Sequence, residues 1–227
     1  KLKKVTFYEN LGSIYEKTQR LRKMAYFISD EMNLNKEKIE IAASISKSDL
    51  VSGLVGEFPE LQGIIGGYYA AASGEVTAVS SSITSHYRPQ GPTDNLPVTP
   101  TAMVVALADK VDTLVGFFGI DAKPTGSKDP FALRRAALGV IRIIVDGKLN
   151  LPLAIVLQAA AKGYGFASVD PDLLPFIRDR LRGYLRDQNM RHDVVAAALA
   201  NTDGDNILQM AARAAALAVF LAGPDGN

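Results

Sequence analysis

At 227 residues, 48% of them hydrophobic and 22% charged, the chain is long enough to bury a core as one large domain or two small ones. It has no cysteine, which excludes a disulfide framework, a cysteinyl zinc site and a thiol nucleophile. Its formal net charge of +1 gives no global pull toward polyanions, and no apolar run approaches the roughly 20 residues of a membrane span.

The opening Lys1-Leu-Lys-Lys-Val has neither an initiator Met nor an apolar signal core, as expected of a piece of a longer polypeptide. A first helix is expected from about Glu9–Ser13 to Met32, because Leu11, Ile14, Leu21, Met24, Ala25 and Ile28 recur at helical spacing. Lys17, Arg20, Arg22 and Lys23 fall largely off that stripe. A second helix from about Lys36 carries Ile39, Ala42, Ala43 and Ile45 and runs on through Lys47 until Pro59 interrupts. Glu60 restarts a helix containing Gly63, Gly66 and Gly67, which follow no strand and therefore suit close helix packing better than a phosphate loop.

Further helices are expected over Glu75–Tyr87 and Ala102–Phe118, the latter capped by Thr99 or Thr101. Between them the loop Arg88–Pro100, with Pro89, Pro92, Pro97 and Pro100, is long enough to be a functional element. Asp109 and Asp112 stand in apolar surroundings, where an unpaired charge is costly. The run Pro124-Thr-Gly-Ser-Lys-Asp-Pro-Phe then reads as a turn feeding a helix, with Asp129 as N-cap and Pro130 at the first helical position. That helix places Leu133, Ala137, Val140 and Ile144 on an apolar face and stacks Arg135 and Arg142 on another, with Arg134 beside them. Helices over Leu151–Tyr164, Phe176–Arg186, Asp193–Ala200 and Ile207–Phe220 complete the chain, and residues 223–227 read as a loop. No strand is convincing, so the fold class is all-α.

Charge is uneven along the chain. Residues 1–23 hold seven Lys/Arg against Glu9 and Glu16, and residues 123–148 hold Lys123, Lys128, Arg134, Arg135, Arg142 and Lys148 against Asp129 and Asp146. Asp203, Asp205 and Asp225 face Arg213 alone near the end. The second basic run, with lysines in the loop and a helix N-terminus behind it, suits a phosphate backbone or an acidic partner. It also fits an ordinary amphipathic helix with solvated arginines. Phe131 suits either base stacking or the core. The two histidines, His86 and His192, form no metal-ligand spacing, and no nucleophile elbow supports Ser-His-Asp catalysis.

Several runs resemble the β subunit of bacterial heterotetrameric glycyl-tRNA synthetase. These are Lys47-Ser-Asp-Leu-Val, Glu57-Phe-Pro-Glu-Leu-Gln-Gly63, Tyr68-Tyr-Ala, His86-Tyr-Arg-Pro89, Ala106-Leu-Ala-Asp-Lys-Val-Asp-Thr-Leu-Val-Gly116 and above all Pro124–Gly139. The resemblance runs in consistent order over nearly the whole chain. It implies a degenerate HD-type helical domain over residues 1–165, followed at 166–227 by a helical region leading into a truncated anticodon-binding domain. It implies a cytoplasmic, non-catalytic part of a glycine–tRNA ligase that supports tRNA(Gly), with the α subunit and other β-subunit domains as further partners. ATP and Mg would be used by the α subunit, and this segment would need no cofactor.

Active HD phosphohydrolases hold divalent metal through a His, a His-Asp pair and a later Asp. The matching positions here are Lys17, Ser48-Asp49 and Asp109, so the resemblance implies no metal, no catalytic residue and a buried ion-pair network of Lys17, Asp49 and Asp109 in its place. The candidate tRNA-binding residues are Lys123, Lys128, Arg134, Arg135 and Arg142. A remnant of metal-dependent phosphohydrolase activity and a structural domain for subunit contacts are the alternatives.

Overall fold

The computed structural model describes residues 1–200 and 205–223. The loop expected at the C-terminus lies, from residue 224 on, outside the described residues. The architecture is all-α: eleven α-helices are described, with short 3-10 turns and one small hairpin. That hairpin, β1 Thr6–Tyr8 paired antiparallel with β2 Gly12–Ser13, is absent from the sequence expectation because each strand is too short to show alternation. Its turn passes through Asn10 at φ 68° and Gly12 at φ 82°.

Helix α1, Ile14–Glu31, starts at a capping box in which the Glu16 backbone N–H donates to Ser13 Oγ and Glu16 Oε2 accepts from the Ser13 amide at 2.7 Å. Helix α2, Lys36–Ile45, is capped by Asn35 and stops earlier than its apolar pattern suggests. A 3-10 turn at Ser48–Val51 and a short helix α3, Gly53–Glu57, follow. Helices α4, Ile64–Ala72, and α5, Thr77–Ser85, lie against each other. Their closeness explains the glycines: a Cβ on Gly67 would meet Thr84 Oγ1 at 1.9 Å, and one on Gly66 would meet Ile83 Cγ2 at 2.9 Å.

Helix α6, Pro100–Gly119, is the axis of the fold and packs against α1, α2 and α5, and on its other sides against the helices that follow. Its register explains this, since apolar residues occupy almost every face and burial is nearly continuous from Ala102 to Phe118. Thr99 caps it, with the Ala102 amide donating to Thr99 Oγ1 at 3.2 Å. Helix α7, Leu133–Asp146, buries Leu133, Ala137, Val140 and Ile144 against α6. Helices α8, Leu153–Tyr164, α9, Leu173–Asp187, α10, His192–Ala200, and α11, Ile207–Ala222, complete the packing, with α8 on α1 and α9 and α11 on α7. One hydrophobic cluster runs without interruption from Leu11 to Ala214.

Two local expectations are corrected at α7. The helix begins at Leu133, not at Pro130, because Ala132 adopts a left-handed conformation at φ 53°. Asp129 still caps it from a distance, accepting from the Leu133 amide at 2.8 Å and the Arg134 amide at 2.9 Å. Those amides are therefore occupied, and the helix N-terminus is not open to a phosphate. Phe131 stacks on Phe117 with centroids 4.2 Å apart and meets Tyr8 edge-on, which places it in the core and removes the base-stacking option.

Candidate functional site

Two sites collect the charged residues, one buried and one open. The buried one forms where α1, the turn after α2, the end of α5 and the middle of α6 meet. Lys17 falls in register with Ile14, Leu21, Met24 and Ile28, so helical periodicity drives its ammonium into the interior. There Lys17 Nζ lies 3.0 Å from Asp112 Oδ2, 3.2 Å from Asp109 Oδ1 and 2.9 Å from Thr113 Oγ1. Arg20, one turn on, grips Asp112 with both ends of its fork, Nε to Oδ1 at 2.7 Å and Nη2 to Oδ2 at 3.3 Å. The Tyr164 hydroxyl accepts from Arg20 at 3.0 Å and donates to Asp112 Oδ2 at 3.0 Å.

On the other side of Asp109, Lys47 Nζ stands 3.0 Å from Oδ1 and 2.9 Å from His86 Nε2. Asp109 Oδ1 thus sits between two ammonium groups without a well-aligned hydrogen bond to either, held by charge more than by direction. His86 donates from Nδ1 to the Ile83 carbonyl oxygen at 2.6 Å, an assignment that follows from Nε2 accepting from an ammonium. The chain Arg20–Asp112–Lys17–Asp109–Lys47–His86 is continuous, and the rings of Phe7 and Tyr87 face Lys17 and Lys47 at 4.4 and 3.8 Å.

Electrostatics follow from this packing. Burial alone would raise the Asp109 carboxyl, but the Lys17 and Lys47 ammonium groups overcome it and hold Asp109 well below the usual carboxylate range. Burial, reinforced by Lys47, holds His86 neutral, its pKa pushed down to about 3. Burial also lowers Lys47, with Asp109 pulling it back. Lys110, beside Asp109 on α6, is pushed down to about 8 by burial, with Asp109 opposing and Lys47 and Lys17 assisting.

Of the positions that the sequence resemblance matches to HD metal ligands, Lys17 and Asp109 meet, whereas Ser48 is exposed and takes no part. Asp49 is buried but stands outside the ion-pair chain: its Oδ2 accepts from the amides of Gly63 and Gly66 at 2.6 and 3.0 Å. A divalent ion needs carboxylate and imidazole donors turned toward one point. Here ammonium groups fill the space beside Asp109, and Lys47 covers the free nitrogen of His86. The donor set does not fit a metal, and among the described residues no group of three or more His, Cys, Asp or Glu is arranged to hold one.

The open site is a groove of about 550 Å³ between α7, α9 and the proline-rich loop, lined by Arg134, Arg135, Arg180, Tyr184, Gln90 and Pro92 among others. Arg134 donates to the Gly126 carbonyl oxygen at 2.6 Å and Arg180 pairs with its neighbour Asp179, while Asp187 also lines the groove. Arg135 is exposed and makes no hydrogen bond or ion pair with a described residue. Arg142 serves the wall instead: Nη1 donates to the Gly91 and Asp94 carbonyl oxygens at 2.8 and 2.7 Å, and Nε pairs with Asp146 at 3.3 Å. Lys123 lies away from the groove, its ammonium 2.8 Å from both Asp170 and Asp172, and those contacts raise its pKa. Lys128 is exposed in the turn before α7, its backbone paired with Thr125.

Sequence reasoning missed Lys47, Arg20, Tyr164 and Lys110 in the buried cluster and Arg180 in the groove. Lys17 and Lys110 carried a readable signal, since each interrupts an apolar register that burial requires. Lys47, Tyr164 and Arg180 reach their sites through tertiary packing and carried none.

A family model described as the glycyl-tRNA synthetase beta subunit matches residues 1–200. The chain is 51% identical over 230 residues to the glycine–tRNA ligase beta subunit of Phenylobacterium zucineum (strain HLK1), a match covering 100% of this chain and 32% of that protein. It is 47% identical over 231 residues to the corresponding subunit of Rhodospirillum centenum (strain ATCC 51521 / SW), covering 98% of this chain and 32% of the relative. The chain therefore spans 32% of the length of these curated relatives.

Proposed function

The chain belongs to the glycyl-tRNA synthetase beta subunit family, and from that premise we propose that it is a non-catalytic, HD-type helical segment that supports and positions tRNA(Gly) for glycylation by the α subunit. The observation that carries this reading is the convergence of Arg134, Arg135 and Arg180 from two helices on one open groove. Arginine forks track phosphate oxygens well, and folded RNA is recognised largely through phosphate, 2′-OH and shape. The catalytic silence is supported by the buried cluster, where the ammonium groups of Lys17 and Lys47 stand where a metal would have to stand. ATP and Mg then belong to the α subunit's chemistry, and the site of action is the cytoplasm. No helix among the described residues is long and apolar enough to cross a membrane.

A salt-dependent titration with tRNA(Gly), against an unrelated tRNA, tests the proposal. Replacing Arg135 and Lys128 together by Ala lowers affinity and reduces the salt slope by about one unit per lost phosphate contact. Unchanged binding and slope would overturn the groove as an RNA surface.

A second reading, contact with the α subunit or another β-subunit domain, is favoured by a different stretch of the chain. Residues 48–87 contain no Lys or Arg, and Leu54, Phe58, Ile64 and Tyr68 there are exposed, Tyr68 to 70%. An apolar, cation-free stretch offers no charge to phosphates and suits a protein neighbour. Tyr68→Ser with Phe58→Ser weakens subunit assembly on this reading and leaves tRNA binding unaltered.

A further inference from the structure

In the buried cluster three cations have carboxylate partners: Lys17 and Lys47 on Asp109, and Arg20 on Asp112. Lys110 is the exception. It is only 7% exposed, its Nζ donates to the Tyr87 carbonyl oxygen at 2.9 Å, and it forms no ion pair with a described carboxylate. Its stem runs across Gly139, where a Cβ would come within 2.4 Å of Lys110 Cε and 2.7 Å of Cδ, so the residue type at 139 keeps this path open. Lys110 lines a cavity of about 140 Å³ whose wall also includes Arg135, Gln90, Tyr87, Thr113 and Asp109. Arg135 and Gln90 line the arginine groove as well, so the cavity opens from the groove's inner side.

We propose that this cavity is a socket for a single phosphate monoester, held between the Lys110 ammonium and the Arg135 guanidinium. The proposal rests on the RNA reading of the groove for the source of that group, a strand-terminal phosphate. A buried ammonium with no described carboxylate within ion-pair distance gains from an entering anion, beyond the longer-range pull of Asp109 and Asp94. Asp109, also in the wall, repels an anion, and the Lys17 and Lys47 ammonium groups at 3.2 and 3.0 Å offset that charge. Two unmatched cations, one able to bind two oxygens at once, suit a dianionic monoester better than a singly charged backbone diester. The volume admits the phosphate and its first ester link but not a base. The socket binds the monoester, with no bond made or broken.

Calorimetric titration of the chain with a nucleoside 5′-monophosphate, with inorganic phosphate and with a dinucleotide carrying only the internal diester separates the sources. The monoester and inorganic phosphate bind and compete, and the diester binds at least about tenfold more weakly. Lys110→Met, which retains the stem over Gly139, and Arg135→Gln, at an exposed position, each weaken the monoester at least about tenfold. Equal binding of diester and monoester, no phosphate binding at all, or Arg135→Gln binding as wild type would overturn the socket. If tRNA still binds in any of those cases, the groove stands without the socket. Monoester binding without tRNA binding would instead remove the RNA reading and keep the phosphate site.

Discussion

The buried cluster and the arginine groove have similar inventories of cations and opposite uses for them. In the cluster, Lys17, Arg20 and Lys47 are held within 3.2 Å of carboxylates in an almost dry interior. In the groove, Arg135 has no partner among the described residues and Arg180 pairs only with the residue before it. The difference shows that a basic residue's role is set by what its helix register faces. A lysine in an apolar register becomes a strut, whereas an arginine one face away becomes available to a ligand. Lys110 stands between the two cases, buried like the first and unpaired like the second.

The sharpest way to break this contrast is to remove a strut. Lys17→Met leaves Asp109 and Asp112 each short of a partner at 7% and 1% exposure, and removing one member of a buried pair costs about 3–5 kcal/mol. Urea denaturation measures this as a lower midpoint, while RNA affinity of the folded fraction stays at the wild-type value. A loss below about 1 kcal/mol would mean that the cluster is wet and its charges individually dispensable.

The next effect is pH-dependent. His86 is held at about 3 in the fold, below its ordinary value, so the unfolded chain binds a proton that the folded chain refuses. Its contribution is intact above pH about 6.5 and declines as pH falls toward 3, amounting to a loss of about 2 kcal/mol by pH 5. Asp109, held below the carboxylate range, adds its own loss only below pH about 4. Stability measured from pH 7 to 5 should therefore fall in the wild type and stay flatter in His86→Gln. Equal slopes would show that His86 is not the group responsible.

Much of the fold is legible in the sequence, because ten of the helices follow from apolar spacing, with one cap readable at Thr99, whereas the caps at Ser13 and Asn35 emerge only in the structure. The candidate site is less so. Lys17 is readable as a charge within the apolar register of Ile14, Leu21, Met24 and Ile28, and not as an off-stripe cation like Arg22 and Lys23. Asp129 is readable as a cap, but the left-handed Ala132 that delays the helix is not, and its neighbour Phe131 stacks on Phe117, a contact made only in the fold. Asp49 drew attention through its neighbour Ser48, whereas its partners are backbone amides that no side-chain pattern announces. Arg180 enters the groove only because α9 packs on α7.

The smallest expected effects come from two arginines on one helix, and they test the contrast without changing element or residue type. Arg142 and Arg135 lie seven residues apart on α7 and would be grouped together on any helical projection. Arg142 donates to two carbonyl oxygens of the proline-rich loop, so Arg142→Ala should cost about 1–2 kcal/mol and speed hydrogen exchange of the Gln90 amide, which the loop holds against Asp94. Arg135→Ala removes no internal bond and should leave stability within about 0.5 kcal/mol of wild type. Its RNA affinity should nevertheless fall at once, with a shallower salt slope. For Arg142→Ala any loss of affinity should follow loosening of the loop and keep the wild-type slope, because a displaced wall removes no charge from the phosphate path. If both variants shift the slope equally, Arg142 also reaches the ligand, and the division between struts and ligand-facing cations does not hold within α7.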